Sequence, residues 1–153
     1  MPLISRSLDT AAERVLLSWS LPVPRDRAWW GLTDPEALPK WMGSIVSGSF
    51  ADGDVVTVRH AEDYCCTSKI LECEPGRLLA MTWEFPDEPL SHLRITLSTS
   101  GSFTRLALIH EGLGAEAANY LPGWHTHLLY LEGLLADEPL PMAGFRTTYE
   151  DLR

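Results

Sequence analysis

Residues 124–137 read WHTHLLYLEGLLAD, and within them Trp124, Leu128, Leu131 and Leu135 recur at intervals of four, three and four. That spacing lays one apolar stripe along a helix of about four turns, opened by Pro122-Gly123. Gly133 weakens the helix locally but lies off the stripe. A stripe of this width needs an apolar surface to cover it, and the preceding half of the chain supplies one. From Ile45 to Glu111 short segments of period two are separated by turn-forming clusters such as Asp52-Gly53-Asp54, Glu74-Pro75-Gly76 and Ser100-Gly101-Ser102. Antiparallel strands joined by hairpins are expected near 45–50, 54–60, 64–74, 77–85, 91–99 and 103–111. Leu93, Ile95 and Leu97 alternate with His92, Arg94, Thr96 and Ser98, the pattern of a sheet covered on one face only.

Upstream, Arg14 to Leu21 (RVLLSWSL) reads as a first strand stopped by Pro22 and Pro24. A short helix is expected over Arg25 to Leu32, and Thr33-Asp34-Pro35-Glu36 supplies a cap, a first-turn proline and an acid for a second. These two helices hold the segment Trp29 to Met42, WWGLTDPEALPKWM, in which Trp41 and one of Trp29 and Trp30 are expected to point inward while the other ring stays partly exposed. The tail from Pro139 to Arg153 is too rich in proline at its start to prolong the last helix, and Phe145 and Tyr149 suit a segment that folds back on the body. The 153 residues, 45% of them apolar, are read as one domain. The order of elements makes an α+β fold: a curved antiparallel sheet of six to seven strands wrapped around a long C-terminal helix, with two short helices after the first strand.

The net charge of −9 with scattered Lys and Arg argues against nucleic acid and anionic membrane surfaces as partners. No apolar run is long enough to span a bilayer and the start, MPLISRSLDT, lacks the apolar core of an export signal, so a cytoplasmic location is expected. Cys65, Cys66 and Cys73 fit neither a disulfide framework nor paired zinc-ligand spacing and are read as free thiols. His125 and His127 point about 200° apart on a helix and cannot chelate one ion, so no metal is expected. No phosphate-cradling glycine loop, dinucleotide fingerprint or G-x-S-x-G elbow is found, and no cofactor is implied.

The segment 29–42, the pair Glu74-Pro75-Gly76-Arg77-Leu78 and Met81-Thr82-Trp83, the strand end Thr104-Arg105-Leu106 to His110-Glu111-Gly112, and Gly123-Trp124 before Leu128 and Leu131 resemble, in order and spacing, the activator of heat-shock protein 90 ATPase homologue family. That family belongs to the START-like, helix-grip superfamily, also called SRPBCC. The resemblance covers almost the whole chain and implies a cavity between concave sheet and C-terminal helix. A small hydrophobic ligand and a chaperone are the partners it makes conceivable. It spans a single domain, without the additional N-terminal domain of full eukaryotic activators, so direct stimulation of the chaperone's ATPase is not implied.

Six residues are candidates for the cavity wall: Trp41, Met81, Trp83, His110, Trp124 and Leu128. Met81 and Trp83 share strand parity, and Trp124 and Leu128 lie on the helical stripe. A tightly filled interior is the competing expectation, because protein cores pack to crystal-like density. His110 turns inward on the parity of Leu106 and Leu108, where it could orient a ligand or simply bond to a loop carbonyl. No catalytic residue is assigned. Two alternative functions stand beside binding of a ligand or protein partner: a polyketide cyclase or dehydratase, using His110 with Tyr130 or Glu111 to move protons, and a co-chaperone interaction module. An exposed edge strand or the aromatic tail leaves monomer and homodimer both open.

Overall fold

The computed structural model describes residues 2–61 and 63–153. Eight strands form one antiparallel sheet: β1 (Leu3–Asp9), β2 (Arg14–Leu21), β3 (Ser44–Ser47), β4 (Val55–Ala61), β5 (Tyr64–Glu74), β6 (Leu78–Trp83), β7 (Ser91–Ser100) and β8 (Phe103–Glu111). Three helices accompany them, α1 (Arg25–Thr33), α2 (Ala117–Leu135) and α3 (Phe145–Leu152). Neighbouring strands run β1-β2-β8-β7-β6-β5-β4-β3. The run from β3 to β8 is therefore a simple meander, and the β1-β2 hairpin joins its last strand.

The expected α+β helix-grip architecture is the one observed. Val15, Leu17, Trp19 and Leu21 of β2, Leu93, Ile95 and Leu97 of β7, and Leu106 and Leu108 of β8 are all buried. On α2 the stripe of Trp124, Leu128, Leu131 and Leu135 is buried too, so the helix lies on the apolar face that alternation creates.

The order of strands has a topological consequence. β2 stands next to one edge and β3 forms the other, so residues 22–43 must cross the width of the sheet. α1 makes part of that crossing and packs on α2. A methyl group at Gly31 would come within 2.8 Å of Leu131 Cδ1, which shows how close the two helices stand. The crossing ends with Trp41, 1% exposed, whose indole N–H donates to the Gly31 carbonyl at 2.7 Å.

Four details differ from expectation. The sheet has eight strands rather than six or seven, because Leu3–Asp9 pairs with β2 from Leu3↔Trp19 to Asp9↔Arg14. This edge strand is only half buried and leaves Ile4 exposed, so backbone pairing rather than apolar alternation defines it. The second short helix is a single 3-10 turn, Leu38–Lys40, although Asp34 does cap the approach by accepting the Glu36 N–H at 2.8 Å. Both Trp29 and Trp30 remain half buried, and Arg27 sits 3.8 Å over the Trp30 ring. Finally, α2 begins at Ala117, ahead of Pro122, which lies inside the helix. Proline removes one early backbone bond there without ending the helix.

The tail reverses after α2. Tyr130 donates its hydroxyl to the Pro141 carbonyl at 3.1 Å, and the Phe145 ring lies 4.6 Å from that of His127. Among the described residues no helix is long and apolar enough to cross a membrane.

Gly43 leads directly into β3, and a methyl group on it would lie 2.1 Å from the Arg59 carbonyl oxygen of the neighbouring strand. The Gly43→Ala variant is expected to lose about 3 kcal/mol of stability in urea unfolding, because backbone on both sides must move. A loss under about 0.5 kcal/mol would show that β3 does not approach β4 this closely.

Candidate functional site

α2 is tied to the sheet by a chain of buried polar bonds. Trp124 donates its indole N–H to His110 Nδ1 at 2.9 Å, and His110 Nε2 stands 2.7 Å from Ser91 Oγ. Since Nδ1 accepts, Nε2 carries the proton and donates to Ser91, whose hydroxyl donates onward to the Trp83 carbonyl at 3.2 Å. His110 is 0% exposed, and burial pushes its imidazole down to about 3, so it is neutral. It turns inward as its parity implies, but its partners are two side chains rather than a loop carbonyl.

The trio considered for proton transfer does not assemble. Both His110 nitrogens are engaged, Tyr130 is bonded to Pro141, and Glu111 is exposed. Strand alternation turns Glu111 to the face opposite His110.

Three hollows surround the middle of the fold. The deepest, lined by Trp41, Val58, Leu79, Met81 and Ile95, encloses only about 20 Å³, room for roughly one water. A second, of about 240 Å³, opens where the ends of the strands diverge from the first turns of α2. Its walls are Trp83 of β6, Phe85 just beyond it, Tyr64 of β5, and Tyr120 and Trp124 of α2. A third, of about 400 Å³, lies under the tail between Met42, Met142, Phe145 and Arg146. His60 and His127, with ring centres 6.0 Å apart, border both of the larger hollows.

The six candidates are thus divided. Trp83 and Trp124 face the open cavity. Trp41 and Met81 line the deep hollow that they largely fill, Leu128 is 0% exposed within the core, and His110 stands as the polar tie between helix and sheet. Trp83 joins the groups, since its ring lies 5.2 Å from Trp124 and 5.5 Å from His110.

Several wall residues escaped the sequence reading although signals for them existed. His60 follows Val56 and Val58 on the inward parity of β4, the same rule that located His110. Phe85 continues the parity of Met81 and Trp83. Tyr120 and His127 lie four residues before and three after Trp124, on the same helical face once the helix is extended past Pro122. Glu88 belongs to the loop after β6, and no periodicity marks it.

The polar groups of the cavity are bonded mainly to one another. Trp83 donates its indole N–H to the Tyr120 oxygen at 3.0 Å, and Tyr120 donates its hydroxyl to Glu88. Tyr64 stacks on Phe85 with ring centres 4.3 Å apart and donates its hydroxyl to Asp87. Burial, reinforced by these carboxylate partners, raises both phenols above their ordinary range. His127 Nδ1 donates to the Trp41 carbonyl at 2.7 Å, which leaves Nε2 as a bare acceptor, and burial lowers this imidazole to about 4. His60 is lowered to about 3 by burial, with a further contribution from His127, and its Nε2 is sealed from solvent with no hydrogen-bond partner. His125 points elsewhere, toward Arg6 and Trp19. Cys66, raised to about 12 by burial, is a poor nucleophile. Among the described residues no three His, Cys, Asp or Glu side chains converge as a metal site would require.

Residues 22–136 match the family model for activator of Hsp90 ATPase homolog 1-like protein. The matched segment leaves out β1, β2 and α3. Among solved structures, CalU16 from Micromonospora echinospora is 22% identical with a TM-score of 0.78, covering 97% of this chain and 92% of its own. CV1439 from Chromobacterium violaceum is 23% identical with a TM-score of 0.75, over 84% of this chain and 99% of its own. DynU16, a protein of the dynemicin biosynthetic locus, is 23% identical with a TM-score of 0.75, over 81% of this chain and 47% of its own. No curated protein matches the sequence.

The buried neutral imidazoles set a pH dependence. His60, His110 and His127 titrate near 3, 3 and 4 in the folded chain against an ordinary 6.5. Below pH 6.5 the unfolded chain binds protons that the folded chain refuses, so stability is complete above that pH and is lost as the pH falls toward 4. Between about pH 7 and pH 5, urea unfolding is expected to show a loss of about 3 kcal/mol or more. Equal stability at the two pH values would mean that these rings are not buried in neutral form.

Proposed function

The chain belongs to the activator of Hsp90 ATPase homologue 1-like family, and from that premise we propose that it binds a small, mainly apolar molecule in the cavity between β6 and the first turns of α2. The observation that carries the reading is the open hollow of about 240 Å³ walled by Tyr64, Trp83, Phe85, Tyr120 and Trp124. Aromatic faces around a concave opening with a few fixed polar groups are the usual composition of a small-molecule site. Planar rings stack against such walls at little entropic cost, because the wall side chains are already held by hydrogen bonds and neighbours.

Binding rather than reaction suits the polar groups as they stand. His110 has no free nitrogen, and Tyr120 and Glu88 are bonded to each other. Of the six residues first considered for the wall, Trp83 and Trp124 would touch the molecule. His110 would act at one remove by holding Trp124 in place, and Trp41, Met81 and Leu128 would form the floor and frame behind them.

Titration with 2-naphthalenemethanol, followed through the indole N–H signals of the isotopically labelled protein, tests this. The Trp83 and Trp124 signals are expected to shift while those of Trp19, Trp29 and Trp30 stay in place. Asn119 is an exposed rim residue on α2. The Asn119→Trp variant should close the opening and weaken binding at least about tenfold without unfolding the chain. Shifts confined to other tryptophans, or binding unchanged in that variant, would place the molecule elsewhere.

A further inference from the structure

Resting on the cavity-binding reading above, we infer that the preferred occupant is a cation: an aromatic or aliphatic body carrying a protonated amine, held with its ammonium group toward Glu88 and the two histidines. Three independent features of the walls point the same way.

First, most of the donors are already committed. The Trp83 N–H goes to Tyr120, the Tyr120 hydroxyl to Glu88, the Tyr64 hydroxyl to Asp87 and the Trp124 N–H to His110. What faces the hollow is a set of acceptors: the remaining lone pairs of Glu88 and Glu116, and Nε2 of His127. A ligand that only accepts hydrogen bonds would find little beyond the second Asn119 N–H and the one N–H of neutral His60, and most of its polar atoms would be desolvated without return.

Second, the buried Nε2 of His60 has no partner in the chain. A sealed, unpaired ring nitrogen is uncommon in a native interior, and a site that awaits a ligand group is one reason for it. An ammonium N–H in the adjoining hollow satisfies it once the ring tilts to bring this nitrogen to the cavity wall, in the tautomer whose proton is on Nδ1. His60 and His127 are both neutral, so neither repels a cation.

Third, the charge around the cavity has one sign. Among the described residues no Lys or Arg lines it, whereas Glu88 and Glu116 do, and the whole chain carries −9. Arg146 lines the hollow on the other side of His60 and His127. Within this negative setting the rings of Trp83, Trp124, Tyr120 and Phe85 line the hollow, and an electron-rich aromatic face attracts a cation where the two meet. An anion of the same size meets two carboxylates and, among the described residues, no cationic side chain.

Three probes of one shape separate charge from apolar fit: 2-naphthylmethylammonium, 2-naphthalenemethanol and 2-naphthoate, each titrated into the intact chain at pH 7 by calorimetry. The ammonium is expected to bind at least about tenfold more tightly than the alcohol, and the carboxylate more weakly than either. Glu88→Gln keeps an acceptor for Tyr120 while removing the charge, and it should reduce the ammonium-to-alcohol ratio below about threefold. An alcohol that matches the ammonium overturns the charge assignment and leaves the apolar cavity reading standing. A ratio unchanged in Glu88→Gln overturns it also. If none of the three binds, the cavity reading falls and this inference with it.

Discussion

The bond from the Trp124 indole to His110, continued through Ser91 to the Trp83 carbonyl, is the constraint from which the site follows. Apolar stripes alone let a helix slide or turn on a sheet at modest cost, because dispersion and burial have no direction. A buried donor–acceptor chain does not allow that freedom, since every displaced member would be left unpaired at roughly 1 to 3 kcal/mol. With Trp124 fixed, Tyr120 one turn earlier and His127 one turn later take defined positions. The same chain requires His110 to be neutral, so the tie that orients the cavity also makes the fold sensitive to acid.

Sheet order divides the interior. The link between β2 and β3 has to traverse the concave face, and it brings Trp41 into the hollow that a helix-grip fold would otherwise leave open. Trp41 then serves both sides, its N–H on the Gly31 carbonyl and its own carbonyl under His127. The deep half of the grip thereby keeps a void of only about 20 Å³. Larger free volumes lie toward the strand ends, where the open cavity is, and under the tail. Lined hollow and filled core, which compete in the sequence as alternatives, are both present at different depths.

The parts of the structure legible in the sequence are those where burial imposes a period. β2, β4, β5, β7, β8 and the stripe on α2 each alternate between an apolar interior and more exposed positions, while β6 is a nearly continuous apolar run buried on both faces, and their residues record it. β1 is held by backbone pairing at an edge and carries only a faint alternation, so nothing in its side chains separates it from a polar lead. The start of α2 was obscured by Pro122, which is tolerated because only one early backbone bond is lost. At the site, parity located His110 and would equally have located His60. What parity cannot express is whether an inward histidine finds a partner, because that depends on Ser91, Trp124 and the loop carrying Glu88, all remote in sequence. The family resemblance was readable from motif order, since turns and tryptophans at fixed separations reflect the same packing demands.

His60 and His110 make the difference between framework and site physical. Both lie on inward positions of strands, both are packed against Trp83 at 5.5 Å, and burial lowers both to about 3. Yet one has each nitrogen bonded and the other has a sealed nitrogen with none. Equal desolvation with unequal satisfaction means that the first ring contributes to the stability of the empty fold, while the second holds unrealised bonding capacity at the edge of a void. A void bordered by apolar groups alone is indifferent to what enters it beyond size and shape. Where the border holds more unpaired acceptors than free donors, the void discriminates by chemistry, because an occupant that supplies protons gains bonds that one lacking them cannot make.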